Sequence, residues 1–494
     1  MTRTIYDKSK GAREASAQAR ARDHQLDIPK ALLRASSPDL PEVAELTAVR
    51  HYTSISQKNF SIDTRFYPLG SCTMKYNPRA AHKVALDPGF LGRHPLAPDE
   101  FDQGFLQVRM ELEAHLKRLT GMAAVSLTPM AGAQGEFAGL SIMRAYLLSE
   151  GQTERDEILV PEAAHGTNPA SAAMCGFKVR EIPLAASGDI DEEALKAALS
   201  ERTAGLMLTN PSTCGLFEQR IVEIARAVHE AGGLLYYDGA NLNAIVGRVR
   251  PADMGFDVIH MNLHKTFATP HGGGGPGAGP IGVVERLKAF LPMPYARYKD
   301  DGSIELEGRF EQTTNAHPSS IGRLSAFGGN AGVLIRALAY IRLLGGEGLR
   351  RVSSHAVLAA AYVAKRLADA GFELAWPDRR ATHEFVISLK KEYKDYGVTA
   401  LDFSKRLLDY GFHPPTNYFP LLVPECFLIE PTETESLEEL DAFVDAMIAI
   451  RGEAAKDPTI LTNAPHTTPV SRLDEVKAVK TLDLGVHLRE AHQS

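Results

Sequence analysis

Short apolar runs alternate with longer amphipathic stretches from about residue 100 to about residue 330. The apolar runs predict buried strands at 158–160, 206–208, 234–237 and 258–263. The amphipathic stretches predict helices at 105–119 and 221–231, and a third helix that opens within 128–136 and runs to about 148. Because strand and helix alternate, the pattern predicts an α/β fold with a mostly parallel central sheet.

The pattern changes on either side of this region. A long helical stretch begins near 328, continues to about 370, and is followed by predicted strands at 384–389 and 426–430 and a helix at 437–450. Residues before 95 are polar and rich in turns, as is the end of the chain. We therefore predict an extended N-terminal arm (1–95), a large domain (96–330), a smaller C-terminal α/β domain (331–452) and a C-terminal tail (453–494).

Composition narrows the class of protein. The chain has 494 residues, of which 44% are hydrophobic, so it has the material for large cores. The net charge of −7 is spread over both signs and gives no indication of nucleic-acid binding. No apolar run reaches the length of a membrane span, and the N-terminus lacks the apolar core of a signal peptide. Four widely separated cysteines favour neither a metal site nor a disulfide framework and fit a reducing cytoplasm.

A lysine carries the first chemical signal. Lys265 follows the predicted strand at 258–263, and a glycine-rich segment at 272–277 comes shortly after it. A lysine at a strand end beside an open glycine loop suits a Schiff base with an aldehyde cofactor. Taken alone, the segment is equally compatible with a surface lysine before a flexible loop.

An aspartate lies upstream at the end of another predicted strand. Asp238 directly follows the apolar run at 234–237, where an isolated buried charge is costly and needs a partner. The protonated pyridine nitrogen of pyridoxal phosphate is such a partner. An ordinary helix N-cap is the alternative. Two strands that end in Asp238 and Lys265 favour a pyridoxal phosphate site more strongly than either residue does alone.

Three further segments are weaker signals. Ala133 and Gln134 open a helix whose free backbone N–H groups are suited to a phosphate, although many helices simply begin this way. His165 follows the strand at 158–160, where its ring is suited to stacking on a flat cofactor, but loop histidines are more often structural. Asn210 lies in an Asn-Pro turn after the strand at 206–208 and is suited to the cofactor's phenolic oxygen, with an ordinary turn nearly as probable.

The order of these segments is similar to that of the fold-type I pyridoxal phosphate enzymes. Seven longer segments make the similarity more specific, and they are FYPLGSCTMKYNP (66–78), AHGTNPAS (164–171), DGANLNA (238–244), HKTF (264–267), GGNAGVL (328–334), DYGFHPPT (409–416) and IEPTETES (429–436). With these segments the chain resembles the glycine decarboxylase P-protein of the glycine cleavage system. The resemblance is to subunit 2, the lysine-bearing chain of the two-subunit form.

The resemblance implies a fold, a cofactor and a reaction. It implies a PLP-dependent transferase fold of type I, with pyridoxal 5'-phosphate bound covalently to Lys265. Catalytic roles fall on Lys265 and His165, and the implied cofactor-binding residues are Lys265, Asp238, His165, Ala133, Gln134, Asn210, Ala240 and His264, with no metal. Glycine would lose CO2, and its aminomethyl group would pass to the lipoyl disulfide of H-protein. The implied partner is P-protein subunit 1, which lacks the lysine, in an α2β2 heterotetramer in the cytoplasm.

Several points stay open at the level of sequence. Arg65, Lys75 and Arg323 are candidates for binding the glycine carboxylate, but structural ion pairs explain them equally well. Cys72 is given no redox role, because a free thiol in a loop is more often structural. The alternatives are another fold-type I enzyme (an aminotransferase or an amino-acid decarboxylase), a non-catalytic scaffold subunit, and a module that binds lipoyl domains while catalysis resides elsewhere.

Overall fold

The computed structural model describes residues 4–10, 28–36, 38, 40–271, 275–308 and 318–482. The chain divides into two compact units, Met1–Thr64 and Arg65–Ser494. In the first unit, helix α1 spans Glu45–Ser56, and two 3₁₀ turns span Tyr6–Lys8 and Lys30–Leu32. The predicted arm ended at residue 95, whereas residues 65–95 fall in the second unit. The four predicted ranges otherwise stay a prediction.

A seven-stranded sheet organises the described part of the second unit. Its strands are β1 (Ala124–Ser126), β2 (Glu157–Pro161), β3 (Lys178–Ile182), β4 (Thr203–Thr209), β5 (Leu234–Gly239), β6 (Val258–Met261) and β7 (Ile281–Val283). They lie in the order β1-β7-β6-β5-β4-β2-β3, and every pairing is parallel except the two made by β7. All residues of β4 and β5 are buried, which explains their continuous apolar runs. The predicted mostly parallel α/β fold is confirmed.

Helices cover this sheet and connect its strands. Those that precede or accompany it are α2 (Arg79–Ala85), α3 (Pro88–Leu91), α4 (Gln103–Thr120), α5 (Gly132–Ser149), α6 (Thr167–Met174), α7 (Glu192–Ala198), α8 (Ile221–Glu230) and α9 (Leu263–Thr266). One detail of the prediction is wrong: β6 ends at Met261, and Leu263 opens α9 instead of ending the strand. Lys265 therefore lies in a helical turn just beyond the strand. An apolar residue in a short buried helix gives the same signal as one in a strand.

A second sheet forms the C-terminal part. Its strands are β10 (Glu373–Leu374), β11 (Phe385–Ser388), β12 (Thr416–Asn417) and β13 (Cys426–Ile429), which pair antiparallel in the order β10-β11-β13-β12. Strands β8 (Tyr295–Tyr298) and β9 (Ile304–Glu307) form a separate two-stranded hairpin. The accompanying helices are α10 (Ala331–Asp369), α11 (Lys390–Tyr396), α12 (Ala400–Asp409), α13 (Leu437–Lys456), α14 (Thr459–Thr462) and α15 (Glu475–Lys480). A non-helical residue, Gly345, interrupts α10. The strands predicted at 384–389 and 426–430 are confirmed.

The segment at 69–77 connects the small sheet to the large one. Leu69 makes an antiparallel bridge to Ile429, and a Cβ at Gly70 would overlap Leu428, so this backbone lies directly against β13. Residues 71–75 consequently reach the ends of the strands of the large sheet. Among the described residues, no helix is both long enough and apolar enough to span a bilayer.

Candidate active site

A cavity of about 200 Å³ lies where β2, β4, β5 and β6 end and α5 begins. The carboxyl ends of parallel strands are the usual binding edge of an α/β sheet, because the following loops leave a crevice there. Its lining consists of Ser71, Gly132, Ala133, Glu136, His165, Thr167, Thr209, Thr213, Asp238, Ala240, Asn241, Asn262, His264 and Lys265. Six of the eight predicted site residues are in this set, while Gln134 and Asn210 are not.

Asp238 ends β5 as a buried carboxylate with three partners. Its Oδ2 accepts a hydrogen bond from Asn168 Nδ2 (3.0 Å), and its Oδ1 accepts one from the backbone of Ala240 (2.9 Å) and lies 3.3 Å from His260 Nε2. Burial by itself raises the pKa of Asp238, but His260, Asn168 and Ala240 outweigh it and lower the pKa. Asp238 is therefore held as an anion inside the protein.

His260 extends this arrangement behind the cavity. The sheet register places it beside Asp238, on the neighbouring strand β6. Its Nδ1 lies 2.7 Å from the hydroxyl of Tyr236, and both side chains are fully buried. If the tyrosine donates to Nδ1, the His260 Nε2 proton faces Asp238. A carboxylate fixed this way, with lone-pair capacity left toward the cavity, suits a protonated ring nitrogen.

Lys265 enters the cavity from α9, and its neighbour His264 lines the same wall. His264 Nδ1 accepts from the backbone of Ala278 (3.3 Å), and the His264 carbonyl lies 3.0 Å from His271 Nε2. Burial, Lys265 and His271 lower the pKa of His264 to about 4, so its ring stays neutral near pH 7. The predicted glycine loop includes Gly272–Gly274, which lie outside the described residues.

The start of α5 closes one end of the cavity. The N-cap residue Ala131 offers no side-chain acceptor, so the first N–H groups of this 18-residue helix stay open to a ligand. Gln134 folds the loop instead of facing the cavity: its Oε1 accepts from Met130 N (2.7 Å), and its Nε2 donates to Leu324 O (3.1 Å). A Cβ at Gly132 would overlap the side chain of Asn262, which explains the small residue there. A phosphate group fits this end.

His165 lies at the exposed rim. Its Nδ1 accepts from the backbone N–H of Thr167 (3.2 Å), and its ring centroid lies 6.0 Å from that of Phe419. Thr167 Oγ1 donates to Glu136 Oε1 (2.8 Å), and Ser171 Oγ donates to Glu136 Oε2 (3.2 Å). Glu136 thus anchors the segment that carries His165. Sequence reasoning missed Glu136, although a carboxylate among the apolar positions of α5 was a usable signal.

Asn210 is not brought into the cavity. Its Oδ1 accepts from Glu218 N (3.0 Å) and its Nδ2 lies 3.9 Å from Met254 Sδ, so the fully buried amide faces away. Thr209 and Thr213 line the cavity at that strand end. Sequence reasoning also missed His260, whose signal was a histidine inside an otherwise apolar buried strand.

None of the three proposed carboxylate-binding cations lines the cavity. Lys75 is buried and pairs with Glu433 at 2.7 Å. Arg323 donates to the carbonyl of Ala326, and Arg65 lies beside Gly411. Among the described lining residues, Lys265 is the one lysine, and there is no arginine.

Two family models match the chain. The model described as aminotransferase class-V matches residues 138–274, which include Asp238 and Lys265. The model described as the C-terminal domain of glycine dehydrogenase matches residues 352–466.

Relatives match over nearly the whole length. The chain is 64% identical to the probable glycine dehydrogenase (decarboxylating) subunit 2 of Methylococcus capsulatus, over 93% of each chain. It is 61% identical to the protein of the same name from Legionella pneumophila (strain Corby), over 97% of this chain and 98% of that one. Among solved structures, glycine decarboxylase (P-protein) of the glycine cleavage system in inhibitor-bound form has a TM-score of 0.71 at 21% identity, covering 86% of this chain and 93% of that chain. Cysteine desulfurase from Thermococcus onnurineus has a TM-score of 0.60 at 15% identity, covering 79% and 95%. At these identities the two structures support the fold.

Proposed function

Because the chain belongs to the glycine dehydrogenase (decarboxylating) subunit 2 family, we propose that it decarboxylates glycine as the lysine-bearing subunit of that enzyme. The observation that carries the proposal is the presence of Lys265, in the helical turn after β6, and a buried, anionic Asp238, in the adjacent strand β5, in one cavity. This combination supports a pyridoxal phosphate enzyme. The names of the relatives select glycine as the substrate.

The cavity fits pyridoxal 5'-phosphate at three points. Lys265 is the covalent attachment point, Asp238 would hold the proton on the pyridine nitrogen, and the start of α5 at Ala133 would bind the phosphate. When bound, this cofactor supplies an electron sink for the pair released as CO2 leaves. Ala240 and His264 would contact the cofactor from the walls, whereas Gln134 would support the phosphate end indirectly.

The protein's own residues would orient the substrate and move protons. The exposed ring of His165, held by Thr167, would fix the plane of the cofactor by stacking. Lys265, once displaced by the glycine amine, would be the base closest to the substrate carbon. His264 is neutral near pH 7, so it would accept or donate a hydrogen bond without adding charge. These contacts would set the orientation of the substrate for loss of its carboxylate.

The proposal extends to partners. The family name denotes one of two subunits, so we propose a partner subunit 1 without the lysine, in an α2β2 assembly with the site near the interface. The aminomethyl group would pass to the lipoyl disulfide of H-protein. We also propose a cytoplasmic location, supported by the free thiols of Cys72, Cys175, Cys214 and Cys426.

The test compares Lys265→Ala with Lys288→Ala, a matched control at an exposed lysine. Each variant would be purified with its partner subunit, loaded with pyridoxal phosphate, reduced with borohydride and mapped by peptide mass. We expect a visible cofactor band, an adduct on Lys265, and exchange of labelled bicarbonate into glycine in the wild type and the control, all lost in Lys265→Ala. An adduct on another lysine would overturn the assignment of Lys265. An intact adduct with a keto-acid product and no exchange would favour an aminotransferase.

A further inference from the structure

A second group of ionisable side chains lies behind one wall of the cavity. His383 and Glu384 precede β11, and Glu430 follows β13. Because these two strands are antiparallel, all three residues lie at the same end of the strand pair. Each is fully buried. One ligand atom from each lies within 4.8 Å of the other two. None of these residues is needed to hold the cofactor as described above.

The two carboxyl groups hold a strained loop. Glu384 Oε2 accepts from the backbone N–H of Ser71 (2.8 Å), and Glu430 Oε2 accepts from that of Thr73 (3.0 Å). Ser71 and Thr73 have φ values of 61° and 48°, a left-handed conformation that is costly for residues other than glycine. Glu384 Oε1 also accepts from Asn241 Nδ2 (3.2 Å). Ser71 and Asn241 both line the cavity, so Glu384 is one residue away from it on two sides.

Two polar atoms of the group have no partner among the described residues. They are His383 Nε2 and Glu430 Oε1, which face each other at 3.8 Å. The hydroxyl of Ser71, which lies at the cavity wall, is likewise buried without a partner. One ligand atom each from His383, Glu384 and Glu430 lies within 4.8 Å of the other two, so the three groups interact electrostatically.

The charge balance requires a proton in this group. Two buried carboxylates this close cannot both ionise without a cation in contact with them. Lys75 is already paired with Glu433, and among the described residues Lys265 forms no ion pair with either carboxylate, although its charge lowers the pKa of both. Burial, Lys265 and Lys75 lower the pKa of His383 to about 3, so the histidine does not supply the balancing charge. The titratable groups that face the pair are His383, Cys72, Cys214, Lys75, Glu433 and Lys265.

We propose that Glu384 and Glu430 form a proton-donating pair, which supplies a proton to the cavity through the loop at 71–73. Burial, followed by the neighbouring Glu430, raises the pKa of Glu384, and burial raises the pKa of Glu430 to about 7. The pair therefore keeps at least one proton near neutral pH. Ser71 is bonded to Glu384 through its backbone and lines the cavity, so the loop connects the pair to the cavity.

This role rests on the proposed function, whose reaction consumes one proton. The C–C bond of glycine breaks, and its electron pair forms a C–S bond with one sulfur of the lipoyl disulfide. The S–S bond breaks and leaves a thiolate on the other sulfur. Glycine is oxidised by two electrons overall, formally one at the methylene carbon and one at the carboxyl carbon that leaves as CO2, and the disulfide is reduced by two. The thiolate takes a proton from the pair to become a thiol, and solvent then restores the proton.

The first experiment reads the proton directly. Infrared spectra of the cofactor-loaded complex would be recorded for the wild type, Glu384→Gln and Glu430→Gln. We expect both variants to lose the carbonyl stretch of a protonated carboxyl group, and this band to titrate near pH 7 in the wild type. Glu435→Gln is the matched control: burial also raises the pKa of Glu435 to about 7 but that residue is outside the group, so its variant should lose a band of its own and keep the one lost in the other two variants. If neither variant changes the band, the pair carries no proton and the proposal is overturned.

The second experiment reads the proton transfer. We expect Glu384→Gln to lower kcat for aminomethyl transfer by about 10²-fold, as for loss of a general acid, with little change in the KM for glycine. The fall of kcat above pH 7 should disappear in the variant and stay in Glu435→Gln, and Glu384→Asp should restore part of the rate. If Glu384→Gln fails to fold, Glu430→Gln provides the same comparison.

The outcomes separate this proposal from the proposed function. A lost carboxyl band with an unchanged pH profile of kcat would overturn the donor role. One equivalent of a divalent metal in the purified complex would overturn it too, since the three atoms would then be ligands. If glycine is not decarboxylated at all, the infrared band still reports whether the pair holds a proton.

Discussion

Replacing Lys75 with methionine would remove one half of a buried ion pair. Lys75 Nζ donates to Glu433 Oε1 (2.7 Å), Asn243 Oδ1 (2.7 Å) and the carbonyl of Thr266 (2.9 Å). Burial lowers the pKa of Lys75, but Glu433 outweighs it and the pKa is raised, so the side chain is charged. The lysine thus joins the loop at 71–75 to the turn that carries Lys265.

The expected loss follows from the uncompensated charge. The side chains of Lys75 and Glu433 are 1% and 6% exposed, so water does not replace the missing ammonium group. Removing one partner of such a pair costs about 3–5 kcal/mol. Glu433→Gln should cost about 1.5–3 kcal/mol, because the ammonium group keeps two oxygen acceptors. The loss of stability in the double variant should be smaller than the sum of the two single losses by up to about 3 kcal/mol.

Urea unfolding of the full chain measures these differences, with the fluorescence of its single tryptophan as the signal. The change in the free energy of unfolding is the shift in the midpoint multiplied by the shared m value. Lys196→Met is the control, since Lys196 makes only exposed ion pairs and should change stability by less than about 1 kcal/mol. A Lys75→Met effect as small as the control, with strictly additive single effects, would refute this account.

Three further predictions concern the site and the core. Gly215→Ala should cost more than about 1 kcal/mol and lower Tm, because φ is +76° and a Cβ there would overlap a backbone carbonyl. Gly397→Ala should cost less, because φ is similar at +72° but a Cβ would lie in open space. Equal losses in the two variants would show that the overlap has no effect. His260→Phe should raise the pKa of Asp238 and weaken binding of pyridoxal phosphate, measured by absorbance titration, and unchanged binding would exclude a supporting role. Asp257→Asn should cost about 1.5–3 kcal/mol at pH 7. Burial by itself raises the pKa of Asp257, but the partners of this carboxylate outweigh burial and lower the pKa in the fold. The contribution of Asp257 to stability is therefore present above the unfolded pKa of 3.8 and lost as the pH falls through the lower folded pKa. A pH-independent difference in urea unfolding would contradict this.

The fold was predictable because its signal is local. The buried runs at 206–208 and 234–237 lie within the fully buried strands β4 and β5, and the amphipathic stretch at 221–231 matches the connecting helix α8. The short strands at the β1–β7 edge escaped prediction. Strands of three residues offer too few positions for a period to show, and β7 runs antiparallel to both neighbours.

The site was predictable where chemistry depends on one residue at a strand end. Asp238 and Lys265 were identified from their places after apolar runs, and the cavity contains both. Gln134 and Asn210 lie in segments that reach the cavity, but their side chains bond to Leu324 and Glu218. Side-chain direction depends on partners distant in sequence, so position alone did not settle it.

The sequence by itself therefore determined the alternating sheet and the lysine and aspartate of the cavity, because periodicity and strand ends are properties of neighbouring residues. Only the tertiary structure decided which buried charges have partners. Lys75 meets Glu433 across 358 positions, and Ser71 meets Glu384 across 313. Such contacts depend on how the two sheets and the loop between them pack against one another, and this packing produces no periodic pattern in the sequence. The same packing placed Glu384 and Glu430 side by side.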